Sequence, residues 1–301
     1  MYDIIIIGAG PAGISAGIYA VSRGKSTLII EKEQVGGLIG KVSTVTHYAA
    51  IIATETGASY ARRLKEQAVN AGVKFCYEEV AEAVLEGSTK KVTTNRGTYE
   101  SKVLILANGT TPVKLGIPGE EELSGRGVRM NAAKHAPQYE GKHVYVVGGA
   151  DGAVKEALYL AKTAAKVTII HFEEKLAAIA EFMEKVEAAE NIEVCLNTRL
   201  TGVYGDAMVE KLELTSEITG EKTMLEDPGC GVFVYAGSAP NTGLYEGLQT
   251  EGGFITVNEK METSIPCIYA AGDIRTKQVR QAATAVADGA IAGINAAAAC
   301  N

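Results

Sequence analysis

Tryptophan is absent from the 301 residues, and only 13 tyrosines and 5 phenylalanines supply large aromatic rings. Any broad flat surface for stacking must therefore come from Tyr, Phe or a bound group. Cysteine is scarce and scattered: Cys76, Cys195, Cys230, Cys267 and Cys300 lie far apart, and no C-x-x-C occurs. An odd, dispersed set is neither a disulfide framework nor a metal site. Positive charge is in deficit, with 29 Lys and Arg against 36 Asp and Glu and a net charge of -7. That balance excludes the basic face a nucleic-acid binder requires. Long apolar runs are missing too. The alanine-rich stretch from Ala282 to Ala299 is broken by Asp288, Gly289, Gly293 and Asn295, so no membrane span is expected. The opening, Met1-Tyr2-Asp3 and then Ile4 to Ile7, lacks the cationic region and long apolar stretch of a signal peptide. The expectation is a cytoplasmic protein.

What is present has the balance of a globular protein, 47% hydrophobic and 22% charged. The length corresponds to about two domains. The 34 glycines occupy isolated positions, as turns require. Asp3 to Ile7 reads as a strand buried on both faces. A glycine turn, Gly8-Ala9-Gly10-Pro11-Ala12-Gly13, follows, then a helix to Arg23 and a strand from Ser26 to Ile30. The same design recurs from His143: strand Val144 to Val147, a turn from Gly148, a helix to about Ala164, and strand Val167 to Ile170. Between them lie a helix near Gly57 to Ala71, short strands at Val73 to Tyr77 and Lys91 to Thr94, and the strand Val103 to Ala107. Further strands are expected near Val209 to Thr215, Val232 to Tyr235 and Ile268 to Ala270, with a long helix after Val279. If the last stretch rejoins the first fold, the second fold is an insertion. Charge runs such as Glu120 to Glu122 read as solvated faces.

The first glycine turn carries the strongest functional signal. Gly8 permits a sharp turn out of the strand, Gly10 admits a pyrophosphate close to the backbone, and Gly13 lets the helix pack on the sheet. The helix N-terminus then offers unpaired N–H groups to phosphate. Glu31, about 20 residues further on, is placed to accept hydrogen bonds from a ribose.

These segments, with Gly36-Gly37-Leu38-Ile39, Leu106-Ala107-Asn108-Gly109, Ala271-Gly272-Asp273 and Arg280-Gln281-Ala282, resemble the low-molecular-weight thioredoxin reductase family over nearly the whole chain. The resemblance implies an α/β protein of two Rossmann-like, three-layer domains, the second inserted into the first. The FAD-binding domain would comprise residues 1–115 and 244–301, and an NAD(P)H-domain-like insertion residues 116–243. It also implies bound FAD and a homodimer. The implied cofactor contacts are Gly8, Gly10, Pro11, Ala12, Gly13, Glu31, Lys32, Gly37, Leu38, Ile39, Val80, Ala107, Asn108, Gly109, Gly272, Asp273, Arg280, Gln281 and Ala282. Asp273 would meet the ribityl chain or pyrophosphate, and the start of the last helix would lie beside the flavin, favouring negative charge on the reduced ring.

The sequence departs from that family in two places. Where the family carries Cys-x-x-Cys-Asp, this chain has Asn131, Lys134 and His135. Neither Asn nor Lys can form a disulfide or a flavin–thiolate adduct. In the second turn, Gly148-Gly149-Ala150-Asp151-Gly152-Ala153, Ala150 replaces the glycine a pyrophosphate approaches. Beyond it, His171-Phe172-Glu173-Glu174-Lys175 sets carboxylates where arginines would grip the 2′-phosphate of NADPH. NADPH is therefore not expected, although the turn leaves NADH open.

The loss of arginines is similar to the ferredoxin-linked branch of the family, whose members keep the cysteine pair. The stretch containing Arg126, Arg129, Lys134, His135, Lys142 and His143 offers a surface for a small acidic carrier such as ferredoxin or flavodoxin. It reads equally well as an ordinary surface segment. His47 and Tyr48 correspond to a family Asn-Tyr pair near the isoalloxazine. With Asn131, Lys134 and His135 they are the flavin-proximal candidates, His47 as proton donor or merely solvated, Tyr48 as packing. Cys76, Cys195 and Cys267 are expected as inert core residues, Cys230 in a glycine loop and Cys300 as a mobile thiol. The expected function is electron transfer through FAD without a dithiol. The alternatives are a non-catalytic FAD redox sensor or partner subunit, and a thioredoxin-disulfide reductase using other cysteines.

Overall fold

The computed structural model describes residues 1–300, and the chain divides into two compact units. One comprises Met1–Thr111 with the segment from Ala239 onward, the other Pro112–Ser238. The chain passes between units a few residues before each of the two boundaries read from the glycine- and proline-rich turns.

In chain order, β1 (Tyr2–Ile7), α1 (Pro11–Val21), β2 (Thr27–Glu31), α2 (Gly57–Asn70), β3 (Lys74–Tyr77), β4 (Val80–Val84), β5 (Lys90–Thr94), β6 (Thr98–Leu106) and β7 (Thr110–Pro112) come first. There follow β8 (Val128–Arg129), α3 (Ala132–His135), β9 (His143–Val147), α4 (Asp151–Leu160), β10 (Lys166–Ile170), α5 (Ala180–Glu187) and β11 (Ile192–Cys195). A meander of β12 (Thr198–Tyr204), β13 (Lys211–Ser216) and β14 (Lys222–Glu226) precedes β15 (Gly231–Val234). The chain returns through β16 (Ser238–Pro240), β17 (Thr250–Glu251), β18 (Phe254–Ile255) and β19 (Ile268–Ala270) to α6 (Ala282–Ala299).

The first unit is built on a sheet of order β3-β2-β1-β6-β5-β4, with β19 also on β6. β1 is parallel to both neighbours, Ile7 facing Ile30 on one side and Leu106 on the other. Such a strand is covered on both faces, so four consecutive isoleucines are stable there. Ile4, Ile5 and Ile6 are fully buried. β6 is longer than its apolar run predicts because its first half, Thr98–Ser101, pairs antiparallel with β5, while Leu104–Leu106 pair parallel with β19.

The helix α6 is long and apolar enough to cross a membrane by length and mean hydropathy, 1.3, although Asp288, Gly289, Gly293 and Asn295 interrupt it. Here it is a core helix. Ser15 Oγ donates to the Val286 carbonyl at 2.8 Å, and a β-carbon on Gly289 would lie 2.1 Å from Ala12 O. Only a residue without a side chain permits that approach.

The second unit has an all-parallel sheet of order β11-β10-β9-β15-β8 and the separate antiparallel meander. At the start of β9, His143 Nδ1 meets Asp227 Oδ2 at 2.7 Å and its Nε2 meets Thr168 Oγ1 at 2.9 Å. Tyr145 OH donates to the same Asp227 oxygen at 2.8 Å. Burial pushes the His143 imidazole below its ordinary pKa, helped by Lys166 and opposed by Asp227 and Glu193. His135 is lowered as well, by burial and by the cations of Arg129 and Lys134.

Two outcomes follow from this packing. Gly289→Ala should destabilise the fold by about 1–3 kcal/mol through overpacking, despite alanine's better helix propensity; an unchanged urea midpoint would contradict the contact. The two histidines make stability pH-dependent. The unfolded chain protonates each near 6.5, the folded chain only at lower pH. Their contribution is thus intact above about pH 6.5 and is lost as pH falls through the folded values. Urea midpoints should drop between about pH 8 and about pH 5.5, and less steeply in His135→Gln.

Candidate functional site

The first glycine turn connects β1 to α1 with the geometry a dinucleotide needs. Gly8 adopts φ +100, and a β-carbon there would collide with Ala107 O at 2.5 Å. Gly13 lies against the Gly8 carbonyl, where a β-carbon would stand 2.0 Å away. At Gly10 a β-carbon would meet nothing within 4 Å. That open face is where a phosphate can approach the backbone. Gly10 caps α1 without a side-chain bond, Pro11 opens the helix, and its first turn holds no acid. The N-terminal N–H groups are therefore free for an anion.

The surrounding residues differ in how much bonding capacity they retain. Glu31 ends β2 with Oε2 accepting from Ala9 N at 2.8 Å and Oε1 from Glu33 N at 2.9 Å. It braces the turn and keeps lone pairs for a ribose; Lys32 beside it is exposed. Gly36 N donates to Ala9 O at 2.9 Å, which brings the short 3-10 helix Gly37–Lys41, with Leu38 and Ile39, against Gly10.

Ala107, Asn108 and Gly109 follow β6, and the Asn108 side chain makes two hydrogen bonds. Its Nδ2 donates to Asn241 O at 2.9 Å and its Oδ1 accepts from Tyr245 OH at 2.8 Å. These bonds pin the returning chain, and the amide keeps a second proton and a second lone pair toward a cofactor. Val80 opens β4, half-buried and paired with Thr94.

Gly272 and Asp273 sit in a single turn after β19, where a β-carbon on Gly272 would be 2.9 Å from Ala12 Cβ. Asp273 Oδ1 is buried with no hydrogen-bond partner, and the nearest cation, Lys277 Nζ, is 3.6 Å away. Burial raises the Asp273 carboxyl above its ordinary pKa, against the pull of Lys277 and Arg280. Arg280 stacks on Phe254, its guanidinium 4.0 Å from the ring centroid. Gln281 caps α6, its N–H donating to Thr284 Oγ1 at 3.2 Å, and Ala282 begins the helix. A buried acceptor with nothing to bond, an open glycine and two helix N-termini without acids fit a pyrophosphate carrying a hydroxyl-rich chain. FAD has that chemistry.

Tyr48 packs edge-on to Tyr60, centroids 5.9 Å apart. His47 is exposed, its Nδ1 2.9 Å from Thr46 Oγ1. Asn131, Lys134 and His135 belong to the second unit. Asn131 Oδ1 accepts from Lys134 N at 2.9 Å and so caps α3. The Lys134 side chain is exposed, and His135 Nδ1 is buried without a partner.

The second glycine turn repeats the first in backbone only. Gly148 N donates to Ile170 O at 3.0 Å as Gly8 N does to Ile30 O at 2.8 Å. The residue after Ile170 is His171, topologically the counterpart of Glu31. A β-carbon on Gly149 would lie 2.5 Å from the His171 ring. His171 Nε2 is 3.2 Å from Glu173 Oε2. Ala150 caps α4, and Asp151 brings a carboxylate into its first turn, accepting from Ile179 N at 2.9 Å.

The basic stretch is not one exposed patch. Arg126 donates to the Glu122 and Asp206 carbonyls. Arg129 is half-buried with its Nη2 on Gln138, and His143 is held by Asp227 and Thr168. Cys300 is not mobile. It is 7% exposed, with Sγ near the carbonyls of Ala296 and Asp3. Burial pushes its thiol up to about 11 and that of Cys230, which is 1% exposed, to about 12. Cys76, Cys195 and Cys267 are half-buried rather than core, and all five thiols are free.

Residues 2–289 match the model of the pyridine nucleotide-disulphide oxidoreductase family. A thioredoxin reductase of Peptoclostridium acidaminophilum is 38% identical, covering 98% of this chain and 96% of its own. The solved thioredoxin reductase of Lactococcus lactis superposes with a TM-score of 0.96 at 33% identity, covering 100% of this chain and 99% of that one. A ferredoxin-flavin thioredoxin reductase from Clostridium acetobutylicum matches at 34% identity with a TM-score of 0.54, over 99% of this chain and 97% of its own. The chain belongs to the pyridine nucleotide-disulphide oxidoreductase family, as a thioredoxin reductase-like flavoprotein of two Rossmann-like domains.

Proposed function

We propose that the chain is an FAD-dependent electron-transfer oxidoreductase that works without an active-site dithiol and without NADPH, linked to a small acidic carrier such as ferredoxin or flavodoxin. The observation that carries this reading is Asn131. At the first position where the family pattern read from the sequence places the redox cysteine pair, this side chain is committed to capping α3. Lys134 occupies the second position. No thiol is present in that segment, and the cysteines elsewhere are buried or half-buried.

FAD, when bound, would supply a centre that takes up electrons one at a time from a carrier and passes them on singly or in pairs. The protein's part is to hold it: Gly10 and the α1 N-terminus at the pyrophosphate, Glu31 at the ribose, and Asp273 with the α6 N-terminus toward the flavin end. The second unit supports no NADPH clamp. Glu173 and Glu174 oppose a 2′-phosphate, and the Ala150 methyl occupies the face left open at Gly10. Losing two charge-assisted contacts corresponds to about 100-fold or more in affinity.

A carrier partner is supported by the ferredoxin-flavin relative and by the exposed cations Arg126, Lys134 and Lys142 on an acidic chain. A homodimer and a cytoplasmic location complete this reading, the dimer to be checked by sedimentation.

The deciding measurement is anaerobic reduction followed by flavin absorbance. Reduced ferredoxin should bleach the flavin rapidly and NADPH should not; rapid bleaching by NADPH would refute the proposal. Turnover should also survive alkylation of accessible thiols by iodoacetamide, whereas its loss would restore a cysteine mechanism. A protein that is reduced but never turns over is instead a redox sensor.

A further inference from the structure

Asp288 lies in the middle of the apolar α6, 4% exposed. A buried carboxylate there needs compensation, and it receives four hydrogen bonds. Arg275 grips it with two, Nε to Oδ2 at 2.8 Å and Nη2 to Oδ1 at 2.7 Å. Lys277 Nζ donates at 2.9 Å and the Gly272 backbone N–H at 3.1 Å. The Lys277 side chain is itself 5% exposed, and Asp273 Oδ1 stands 3.6 Å from its ammonium on the other side. Arg275 and Lys277 outweigh the cost of burial and hold the Asp288 carboxyl below its ordinary range.

The neighbouring residue, Gly289, fixes the same turn of α6 against Ala12 at the start of α1. Asp288 therefore connects three pieces of the first-unit site: the α1 phosphate turn through α6, the Gly272–Asp273 turn through its backbone, and the buried cation beside Asp273. Two cations share one fully buried carboxylate, and Asp273 is the second acid of the group.

We infer that Asp288 is a positioning residue for the FAD site, holding the Gly272–Asp273 turn in place and balancing the buried Lys277 charge that faces Asp273. The inference rests on the reading that this unit holds FAD. It assigns Asp288 two separable effects. One is geometric: a loosened turn misplaces Asp273 and weakens the cofactor. The other is electrostatic: removing a negative charge makes the site more positive and favours the reduced cofactor, while removing the Lys277 charge does the opposite.

The test uses the purified full-length holoprotein and its Asp288→Asn and Lys277→Met variants. FAD affinity is measured by rebinding to apoprotein, and midpoint potential by equilibration with redox dyes. Both variants should bind FAD about tenfold more weakly. The potential should rise in Asp288→Asn and fall in Lys277→Met, since a tenfold change in relative affinity for the two redox states corresponds to about 30 mV for a two-electron couple. Potentials that stay fixed, or move in the same direction, overturn the inference, because a purely structural defect predicts no opposed pair. Should Asp288→Asn fail to fold, Arg275→Lys takes its place: it keeps the charge and loses the two-point grip, so affinity should fall while the potential holds. Unchanged affinity in that variant also overturns the inference. Absence of FAD from the wild type would sink the site reading itself, whereas flavin-replete variants indistinguishable from wild type would sink only the role of Asp288.

Discussion

Gly289 and Gly293 let α6 approach α1 so closely that β-carbons there would fall 2.1 and 2.4 Å from the Ala12 and Ala16 carbonyl oxygens. On its other side α1 is drawn onto the sheet by Gly13, which touches the Gly8 carbonyl. The helix is thus clamped between β1 and α6 by backbone contact, with no flexible side chain to take up slack. Its N-terminus, and with it the phosphate turn, has little freedom to move. Because α6 is the last helix and α1 the first, the chain must return to its starting unit to complete the clamp. The insertion topology follows from that requirement: residues Pro112–Ser238 have to leave and come back.

The two units show what happens when one backbone plan serves two chemistries. Gly8 and Gly148 make the same hydrogen bond to the second strand, and both turns lead into a helix. The side chains then diverge at each position a ligand would meet. Glu31 reaches up to the first turn through Ala9 N, whereas His171 lies against Gly149 and bonds Glu173. Gly10 faces open space, while Ala150 carries a methyl into the corresponding place and Asp151 adds a carboxylate to the helix start. Backbone hydrogen bonds preserve the fold without caring about these changes.

The same distinction explains what could be read from the sequence. Strands of the parallel sheets announce themselves as β-branched runs, since burial on both faces demands them; Ile4–Ile7 and Val144–Val147 are of this kind. The glycine turns are legible because each glycine answers a steric need. By contrast β12 and β14 escape notice: Thr198–Tyr204 and Lys222–Glu226 alternate weakly and are stabilised by pairing with β13. Arg129 and His143 read as surface cations because their partners, Gln138, Asp227 and Thr168, are set by tertiary packing. Cys300 reads as a loose end because nothing in its neighbourhood announces that Asp3 lies against it.

Hydrogen-bonding capacity left unspent separates residues that spacing alone treats alike. Asn108, Glu31 and Asp273 all fall in segments that match the family pattern, and all carry oxygen acceptors. Asn108 has spent one amide proton on Asn241 and one lone pair on Tyr245, half of its side-chain capacity. Glu31 has spent one lone pair on each oxygen and keeps others. Asp273 Oδ1 is buried without a hydrogen bond, only the Lys277 ammonium standing 3.6 Å away, a state that costs free energy unless a donor meets it. The turn that carries this acceptor is tied through the Gly272 N–H to Asp288.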